Sequence, residues 1–346
     1  MSRIIVSADF VAPRGLGNRH IQTLLPRLLP RRRLARCTEI LNLPDGDFVE
    51  LSWVRDAPAS ADAPLFILFH GLEGSFDSPY ARELLAVAAA SGWRAVMMHF
   101  RGCGQAPNRL PRAYHSGDTA DAYWVIGQLA QRYPHAIKVA SGISLGANVL
   151  VKLVAEQGGD GLDLAGAIAI CPPLDLAASA DALNIGFARV YQRHLLKALK
   201  RKISAKMAMG GLPIALTHYQ LKELDSFWAY DNEVTAPLHG FSSASDYYRR
   251  ASAGPLLGDI ELPTLIIHAD DDPFMPADLF ERLPLPSEAV RVEIARQGGH
   301  VGFMERRGGR LTSWLARRVE RQLQDWASLR DVFTNPAYSS ASRLDS

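Results

Sequence analysis

Residues 138–157 read KVASGISLGANVLVKLVAEQ, and this stretch decides the fold. It begins with a short apolar segment typical of a buried strand and ends with apolar residues at helical spacing. Between the two lies GISLG at 142–146, which matches the pattern G-x-S-x-G. The glycines allow a sharp strand-to-helix turn with the serine at its tip, because larger side chains there would collide with neighbouring strands. We therefore predict that Ser144 is a nucleophile; the alternative is a glycine-rich packing turn.

The alternation of apolar segments and helical patterns extends on both sides of Ser144. Strands are predicted at 65–69, 95–99, 138–141, 165–171, 264–268 and 290–294. Helices are predicted at 79–91, 118–133 and 147–157, and a closing helix is indicated by Leu311, Leu315, Val319, Leu323 and Trp326. Strands that alternate with helices predict an α/β fold with a mostly parallel central sheet flanked by helices.

A different pattern fills residues 172–259, where helical segments rich in Lys and Arg and an aromatic stretch replace the alternation. We predict that this segment is a helical cap inserted over the sheet. The predicted division is an N-terminal segment with early antiparallel strands at 1–55, core at 56–171, cap at 172–259, core at 260–330 and a polar tail at 331–346.

The composition indicates a soluble globular protein of 346 residues, with 48% hydrophobic and 21% charged residues. Lys and Arg (38) nearly balance Asp and Glu (36), which argues against a nucleic-acid binder that relies on bulk charge. The 3 cysteines are widely spaced and suggest neither a disulfide framework nor a CxxC site. We expect a cytoplasmic protein, since the first residues lack the apolar stretch of a signal peptide.

A basic cluster near the N-terminus comprises Arg27, Arg31, Arg32, Arg33 and Arg36. Such a cluster is compatible with contact to an anionic membrane surface and with a solvated segment beside prolines. The sequence alone favours the solvated segment and gives membrane contact no further support.

A serine nucleophile needs a base, and His300 is the predicted one. When the nucleophile lies on a strand-to-helix turn of this kind, the acid and then the histidine follow it in the chain. His300 lies in a glycine-rich loop after the last predicted strand of the sheet. His268 lies inside a strand, so we expect it to be a packed core residue or to support the catalytic residues without contacting the substrate. His194, His218 and His239 lie in the cap, where we expect them to be structural or solvated, or to line the substrate pocket.

The acid is expected after strand 264–268, where three aspartates follow one another at 270–272. Asp272 has the spacing to a preceding small residue and a following proline that such sites show, and Asp271 is the alternative. A single carboxylate there would accept the Nδ1 hydrogen of His300. One short run of carboxylates without matched partners is weak evidence for a metal, so we predict none.

Two backbone N–H groups are the expected oxyanion hole, one from Leu145 and one from Leu72. Glu73 is an awkward neighbour for an oxyanion, so we expect its side chain to point away or to pair with a base such as Arg101. In the loop that follows, Tyr114, His115, Asp118 and Asp121 are expected to fix the chain by hydrogen bonds, with Asp118 capping the next helix.

Three further motifs accompany these residues: GNRHIQT at 17–23, HFRGCGQAPNRLPRAYHSGDTAD at 99–121 and NEVTAPLHGF at 232–241. With them the chain resembles, from about residue 10 to 330, the esterase family typified by bacterial YheT proteins. That family has the α/β-hydrolase fold and is akin to the eukaryotic α/β-hydrolase-domain lipases. The resemblance implies carboxylic-ester hydrolysis without a cofactor, with Ser144, Asp272 and His300 in the catalytic positions.

We therefore expect a serine carboxylic-ester hydrolase that acts on small-molecule esters with short or medium acyl chains, acylglycerols included. Two alternatives remain open. An acyltransferase would use the same triad with another alcohol or thiol in place of water. A non-catalytic protein of this fold would keep the pocket only to hold a ligand.

Overall fold

A nine-stranded sheet forms the centre of the structure, a computed structural model that describes residues 4–30, 33–58 and 60–334. Its strands are, in chain order, β1 (Ile5–Ser7), β2 (Arg36–Asn42), β3 (Phe48–Val54), β4 (Leu65–Phe69), β5 (Arg94–His99), β6 (Lys138–Ile143), β7 (Gly166–Ile170), β8 (Thr264–Ala269) and β9 (Val290–Ala295). Across the sheet the order is β1-β9-β8-β7-β6-β4-β5-β3-β2. The mostly parallel α/β sheet predicted from the sequence is thus confirmed.

The pairing is parallel from β1 across to β5 and antiparallel at the other edge, where β3 joins β5 and β2 joins β3. The early antiparallel strands expected in the N-terminal segment are therefore present as β2 and β3. β1 differs, because it crosses to the far edge and pairs in parallel with β9, with Ile5 opposite Val292. A strand of three residues is too short for its pattern to reveal its partner.

Helices cover both faces of the sheet. They are α1 (Arg19–Leu28), α2 (Pro79–Ala90), α3 (Ala120–Arg132), α4 (Leu145–Gln157), α5 (Leu176–Leu183), α6 (Ala188–Met209), α7 (His218–Glu223), α8 (Phe227–Tyr230), α9 (Ala236–His239), α10 (Ala244–Ala251), α11 (Leu279–Arg282) and α12 (Trp314–Thr334). A π-helical turn occupies Asp231–Thr235, a 3₁₀ turn Gly254–Asp259, and a hairpin is formed by β10 (Met304–Arg307) and β11 (Arg310–Ser313).

Two hydrophobic cores form because each central strand is buried on both sides. In β4 every residue is buried, with Leu65, Ile67 and Phe69 in one core and Phe66 and Leu68 in the other. Alternate side chains of a strand point to opposite faces, so a continuous apolar strand fills both layers. α3 and α4 close the first core, and α2 and α12 close the second. This framework holds the carboxyl ends of β4, β6, β8 and β9 at one edge.

Between β7 and β8 the chain forms α5 to α10 and both turns, and we call residues 172–259 the insertion. It has a hydrophobic cluster of its own, which includes Leu196, Ile203, Tyr230 and Tyr247. That the insertion acts as a cap stays a prediction.

The closing helix begins later than the apolar spacing indicated. Leu311 lies on β11, and α12 starts at Trp314. Leu311 matched the helical spacing by coincidence, because a single apolar residue in a four-residue strand is compatible with both a helical and a strand pattern. Arg31 and Arg32 of the basic cluster, and the tail from residue 335, lie outside the described residues. Among the described helices, none is long and apolar enough to cross a membrane.

Candidate active site

Ser144 lies at the junction of β6 and α4, with φ +52° and ψ −119°. A positive φ in a residue with a side chain costs about 1–3 kcal/mol, so the surrounding structure must hold it. A Cβ added to Gly142 would lie 2.4 Å from the Gly146 carbonyl oxygen, and one added to Gly146 would lie 2.4 Å from that of His70. The structure thus has the sharp, closely packed turn that the sequence predicted.

His300 lies in the loop after β9, and its Nε2 is 2.9 Å from Ser144 Oγ. Its backbone N–H donates to Thr23 Oγ1 on α1 at 2.9 Å. Its ring stacks on Phe274, with 3.9 Å between centroids and 7° between planes. The loop approaches α1 closely at Gly299, where φ is +58° and a Cβ would lie 2.4 Å from a backbone oxygen of the helix. A hydrogen bond to the backbone of His300 and stacking on one face of its ring therefore fix the position of the imidazole.

The candidate acids have separate contacts. Asp272 is 1% exposed, and its Oδ2 is 2.8 Å from His300 Nδ1. Its Oδ1 accepts the Phe274 N–H at 2.8 Å. Burial acts to raise the pKa of Asp272, but the charge and hydrogen bond of His300 outweigh it and the pKa is lowered. Asp271 instead accepts the Gly299 N–H at 2.9 Å, so it braces the loop and does not contact the imidazole.

The two expected oxyanion donors, Leu72 and Leu145, both line the cavity beside the serine. Leu145 is the first residue of α4, so its N–H has no acceptor within the helix. The loop of Leu72 is fixed by His70, whose Nδ1 lies 2.7 Å from the Gly71 oxygen and whose Nε2 accepts the Phe100 N–H at 3.1 Å. Burial lowers the pKa of His70 to about 3, so the ring stays neutral and makes both bonds.

Glu73, next to the expected donor Leu72, has its own φ at +53°. Its Oε1 accepts hydrogen bonds from Tyr114 Oη at 2.8 Å and from Lys202 Nζ at 2.9 Å. Glu73 thus pairs with a base, as expected, but the base is Lys202 and not Arg101. α6 crosses the loop at this point, a long-range contact that sequence spacing does not reveal.

Arg101 instead ties the loop at 101–121 to the turn between β2 and β3. Its guanidinium, with the side chain 2% exposed, contacts Asp45 at 2.7 Å, Asp47 at 3.0 Å and Asp121 at 2.6 Å. Three carboxylates around one buried guanidinium satisfy its donors in a planar fork. This supports a structural role for Arg101.

Asp118 does not cap α3, so that prediction is wrong. The helix is preceded by Thr119 as its N-cap, and the Asp118 carboxylate pairs with Arg112 at 2.8 Å. His115 fixes the loop as expected, since its Nδ1 accepts the Gly117 N–H at 3.1 Å. Arg112 competes for the carboxylate that the helix would otherwise use.

Among the described residues, His300 is the histidine that hydrogen-bonds to the serine hydroxyl. His268 is buried in β8, as expected. Of the histidines in the insertion, His239 lines the cavity, His194 is exposed, and His218 hydrogen-bonds to Ser204.

A cavity of about 240 Å³ opens beside Ser144. Its walls come largely from the insertion and are mostly apolar, with Leu176, Leu183, Leu195, Leu199, Ile203 and Val234 among them. The arrangement can hold a short apolar chain against the serine.

Two supporting residues were not assigned a role from the sequence, although both lie in the motif at 17–23. Thr23 accepts the N–H of His300. Gln22 is 0% exposed, and its amide bonds the backbone of Met304 through Oε1 at 2.7 Å and Nε2 at 3.3 Å. The motif at 17–23 drew attention to these residues, but it could not reveal their partners, because His300 and Met304 lie more than 250 residues away in the chain.

Cys171, Asp272 and His300 offer ligand atoms within 4.8 Å of one another, close enough for all three to reach one metal ion. Both nitrogens of His300 are already engaged, one with Asp272 and the other with Ser144. A metal there would have to displace these hydrogen bonds.

Comparison with known proteins yields a family and several relatives. A family model described as alpha/beta hydrolase fold matches residues 64–307. The chain is 43% identical over 326 residues to "Putative esterase YheT" of Escherichia coli, covering 92% of this chain and 93% of that protein. It is 28% identical to the monoacylglycerol lipase of Saccharomyces cerevisiae, covering 75% of this chain and 59% of the lipase.

A solved structure shares the same fold. The Pyrococcus furiosus esterase Pf2001 superposes with a TM-score of 0.53 at 14% identity, covering 91% of this chain and 99% of the esterase. At that identity the likeness concerns the fold alone.

Proposed function

This chain belongs to the α/β-hydrolase fold family, in the group represented by YheT, and from that premise we propose that it is a serine carboxylic-ester hydrolase. The observation that carries the proposal is the continuous chain of contacts from Ser144 Oγ to His300 Nε2, at 2.9 Å, and from His300 Nδ1 to Asp272 Oδ2, at 2.8 Å. Fold alone does not imply function, so the proposal depends on these contacts.

In the proposed mechanism Ser144 attacks the ester carbonyl while His300 Nε2 takes its proton. Asp272 accepts the Nδ1 hydrogen, fixes the tautomer and stabilises the imidazolium. The lowered pKa of Asp272 keeps it ionised for this task. His300 then gives the proton to the leaving alcohol, and water, activated by the same histidine, hydrolyses the acyl-enzyme.

The N–H groups of Leu72 and Leu145 are the proposed donors to the tetrahedral oxyanion. The position of Leu145 at the start of α4 adds the favourable end of the helix dipole. Every step uses side chains, backbone and water of this site, so the proposal includes no cofactor or metal.

The proposed substrates are small-molecule esters with short to medium acyl chains, acylglycerols included. The cavity of about 240 Å³ and its apolar walls support this size and chemistry. The similarity to a yeast monoacylglycerol lipase supports the acylglycerol part of the proposal.

The test is a panel of p-nitrophenyl and glycerol esters of increasing acyl length, assayed with the wild type, Ser144→Ala and Ser141→Ala. Ser141 is a matched control, because it is a buried serine on β6 whose hydroxyl has no hydrogen-bond partner among the described residues. We expect kcat to fall by about 10⁴-fold or more in Ser144→Ala and to change little in Ser141→Ala. Equal turnover by wild type and Ser144→Ala would contradict the proposal.

A further inference from the structure

Helix α1 has an inverted amphipathic pattern. The residue it buries is a polar one, Gln22, at 0% exposed. Three of its apolar residues, Ile21, Leu24 and Leu28, are 40%, 36% and 80% exposed, and their spacing of three and four residues places them along one face. In a soluble protein such a face normally packs against the core. Here the core side of α1 is occupied by its bonds to the loop of His300.

A second exposed apolar group adjoins this face. At the start of α6 and in the turn just before it, Ile185, Phe187 and Val190 are 71%, 48% and 46% exposed. The two groups meet where the His20 ring on α1 lies 4.6 Å from the Phe187 ring. We call the six apolar side chains of these two groups the outer apolar surface.

The two groups of the outer apolar surface lie in stretches of sequence that are rich in arginine and lack acidic residues. From residue 10 to residue 38 the sequence has no Asp or Glu, and it has seven arginines: Arg14, Arg19, Arg27, Arg31, Arg32, Arg33 and Arg36. The first two turns of α6 carry Arg189 and Arg193 and no acidic residue. Further along the helix, Lys202 pairs with Glu73 and does not add to this charge. The chain as a whole has a formal charge of only +2, so this cationic charge is concentrated locally.

The outer apolar surface also lies close to the triad. Tyr191 on α6 contacts His20 through a hydrogen bond of 3.1 Å, and its ring lies 5.2 Å from Phe274. Phe274 stacks on His300. Any molecule that covers the outer apolar surface therefore lies next to the loop that carries His300.

We propose that α1 and the start of α6 dock on the surface of an anionic phospholipid bilayer. The apolar side chains would enter the boundary between head groups and acyl chains, and the arginines would contact lipid phosphates. Exposed apolar residues flanked in the sequence by arginines, with no acidic residue in the same stretches, match the pattern of interfacial helices, and a protein partner would not require this excess of cationic residues. The face of α1 opposite the membrane would keep its contacts with the loop of His300.

The test is flotation with vesicles of phosphatidylcholine alone or with about a third phosphatidylglycerol, a content that gives a negative surface. We expect the wild type to float with the anionic vesicles, to stay behind with the neutral ones, and to release as salt is raised. This readout needs no turnover, so its result is independent of the proposed hydrolase activity.

Matched substitutions locate the contact. Leu28→Gln combined with Ile185→Gln is expected to weaken partitioning about tenfold, because two exposed apolar side chains are lost from the boundary. Leu285→Gln is the control, since Leu285 is 82% exposed and Leu28 80%, and it should bind like the wild type. The unfolding temperature of each variant shows whether it is folded. If Leu28→Gln with Ile185→Gln does not fold, the combination of Arg27→Gln and Arg193→Gln replaces it, and this second variant must weaken binding to the anionic vesicles.

Three results would overturn the proposal. They are a wild type that fails to float with anionic vesicles, an equal loss of binding in Leu285→Gln, and a wild-type dimer in light scattering that Leu28→Gln with Ile185→Gln converts to a monomer. The last result would identify the outer apolar surface as an interface between two copies of the chain.

Discussion

At the level of single residues, Ser144 combines a strained backbone with close support. Its positive φ is one that an ordinary turn would avoid, and the neighbouring glycines provide the space for it. The hydroxyl is thereby held 2.9 Å from His300 Nε2. Strain of about 1–3 kcal/mol at this position is offset by the packing of β6 and α4 on either side.

Replacement of the two candidate acids should have unequal effects. Asp272→Asn removes the carboxylate that accepts the Nδ1 hydrogen of His300, and we expect kcat to fall by about 10⁴-fold. Asp271→Asn keeps a carbonyl oxygen for the Gly299 N–H, so we expect a loss of less than about tenfold. Steady-state kinetics on a short p-nitrophenyl ester measure both. The reverse ranking would assign the acid to Asp271.

The pair of Glu73 and Lys202 should act as a unit. Burial opposes the charge of Lys202, but Cys103 and Glu73 outweigh it and raise its pKa, so the lysine stays protonated beside the carboxylate. Lys202→Met would leave Glu73 unneutralised next to the proposed oxyanion donor Leu72. We expect kcat to fall by about ten- to a hundredfold, since a carboxylate there opposes the developing negative charge.

The control for this pair is the double variant with Glu73→Gln, which removes the uncompensated charge. This double variant should regain most of the kcat that Lys202→Met loses, whereas Glu73→Gln alone should lower kcat only slightly. A double variant as slow as Lys202→Met, or slower, would mean that the lysine acts through packing and not through the carboxylate.

At the level of elements, the π-helical turn at Asp231–Thr235 holds a buried carboxyl group. Asp231 accepts hydrogen bonds from the hydroxyls of Thr235 and Tyr248, at 2.5 Å and 2.7 Å. Burial nevertheless raises its pKa from 3.8 to about 6. The ionised form is thus disfavoured in the folded state.

The stability of the protein should depend on pH through this group. Because the folded pKa is above the unfolded one, the contribution of Asp231 is fully present below about pH 4 and is lost as the pH rises through about 6. Relative to the wild type, Asp231→Asn should therefore gain on the order of 3 kcal/mol in unfolding free energy between these limits. Urea unfolding at a series of pH values measures the difference. A difference that is constant with pH would contradict the assignment.

The elements also show where sequence patterns stop being informative. β4 and β6 were predicted because continuous apolar strands with glycine or polar ends have few alternatives. β1 has only three residues, and its parallel pairing depends on β9, which lies far away in the chain. Leu311 fitted a helical period but lies in a hairpin strand, because backbone pairing decides the structure of so short a segment.

At the level of the whole molecule, the parallel sheet explains how much of the site was predictable. Ser144, Asp272 and His300 follow β6, β8 and β9, and carboxyl ends of parallel strands meet at one edge, so chain order was enough to bring them together. Thr23 and Lys202 reach the same place from α1 and α6, outside the sheet. Their contacts depend on tertiary packing, which neither spacing nor motif position reports.

The most direct test of the central claim is labelling with a fluorophosphonate, followed by mass spectrometry of the modified peptide. This reagent reacts with a serine that a neighbouring base activates, so it tests the contact between Ser144 and His300 without knowledge of the natural ester. The account predicts stoichiometric labelling on Ser144, strongly slowed in His300→Ala and absent in Ser144→Ala. Labelling at another residue, or undiminished labelling of Ser144→Ala, would contradict it.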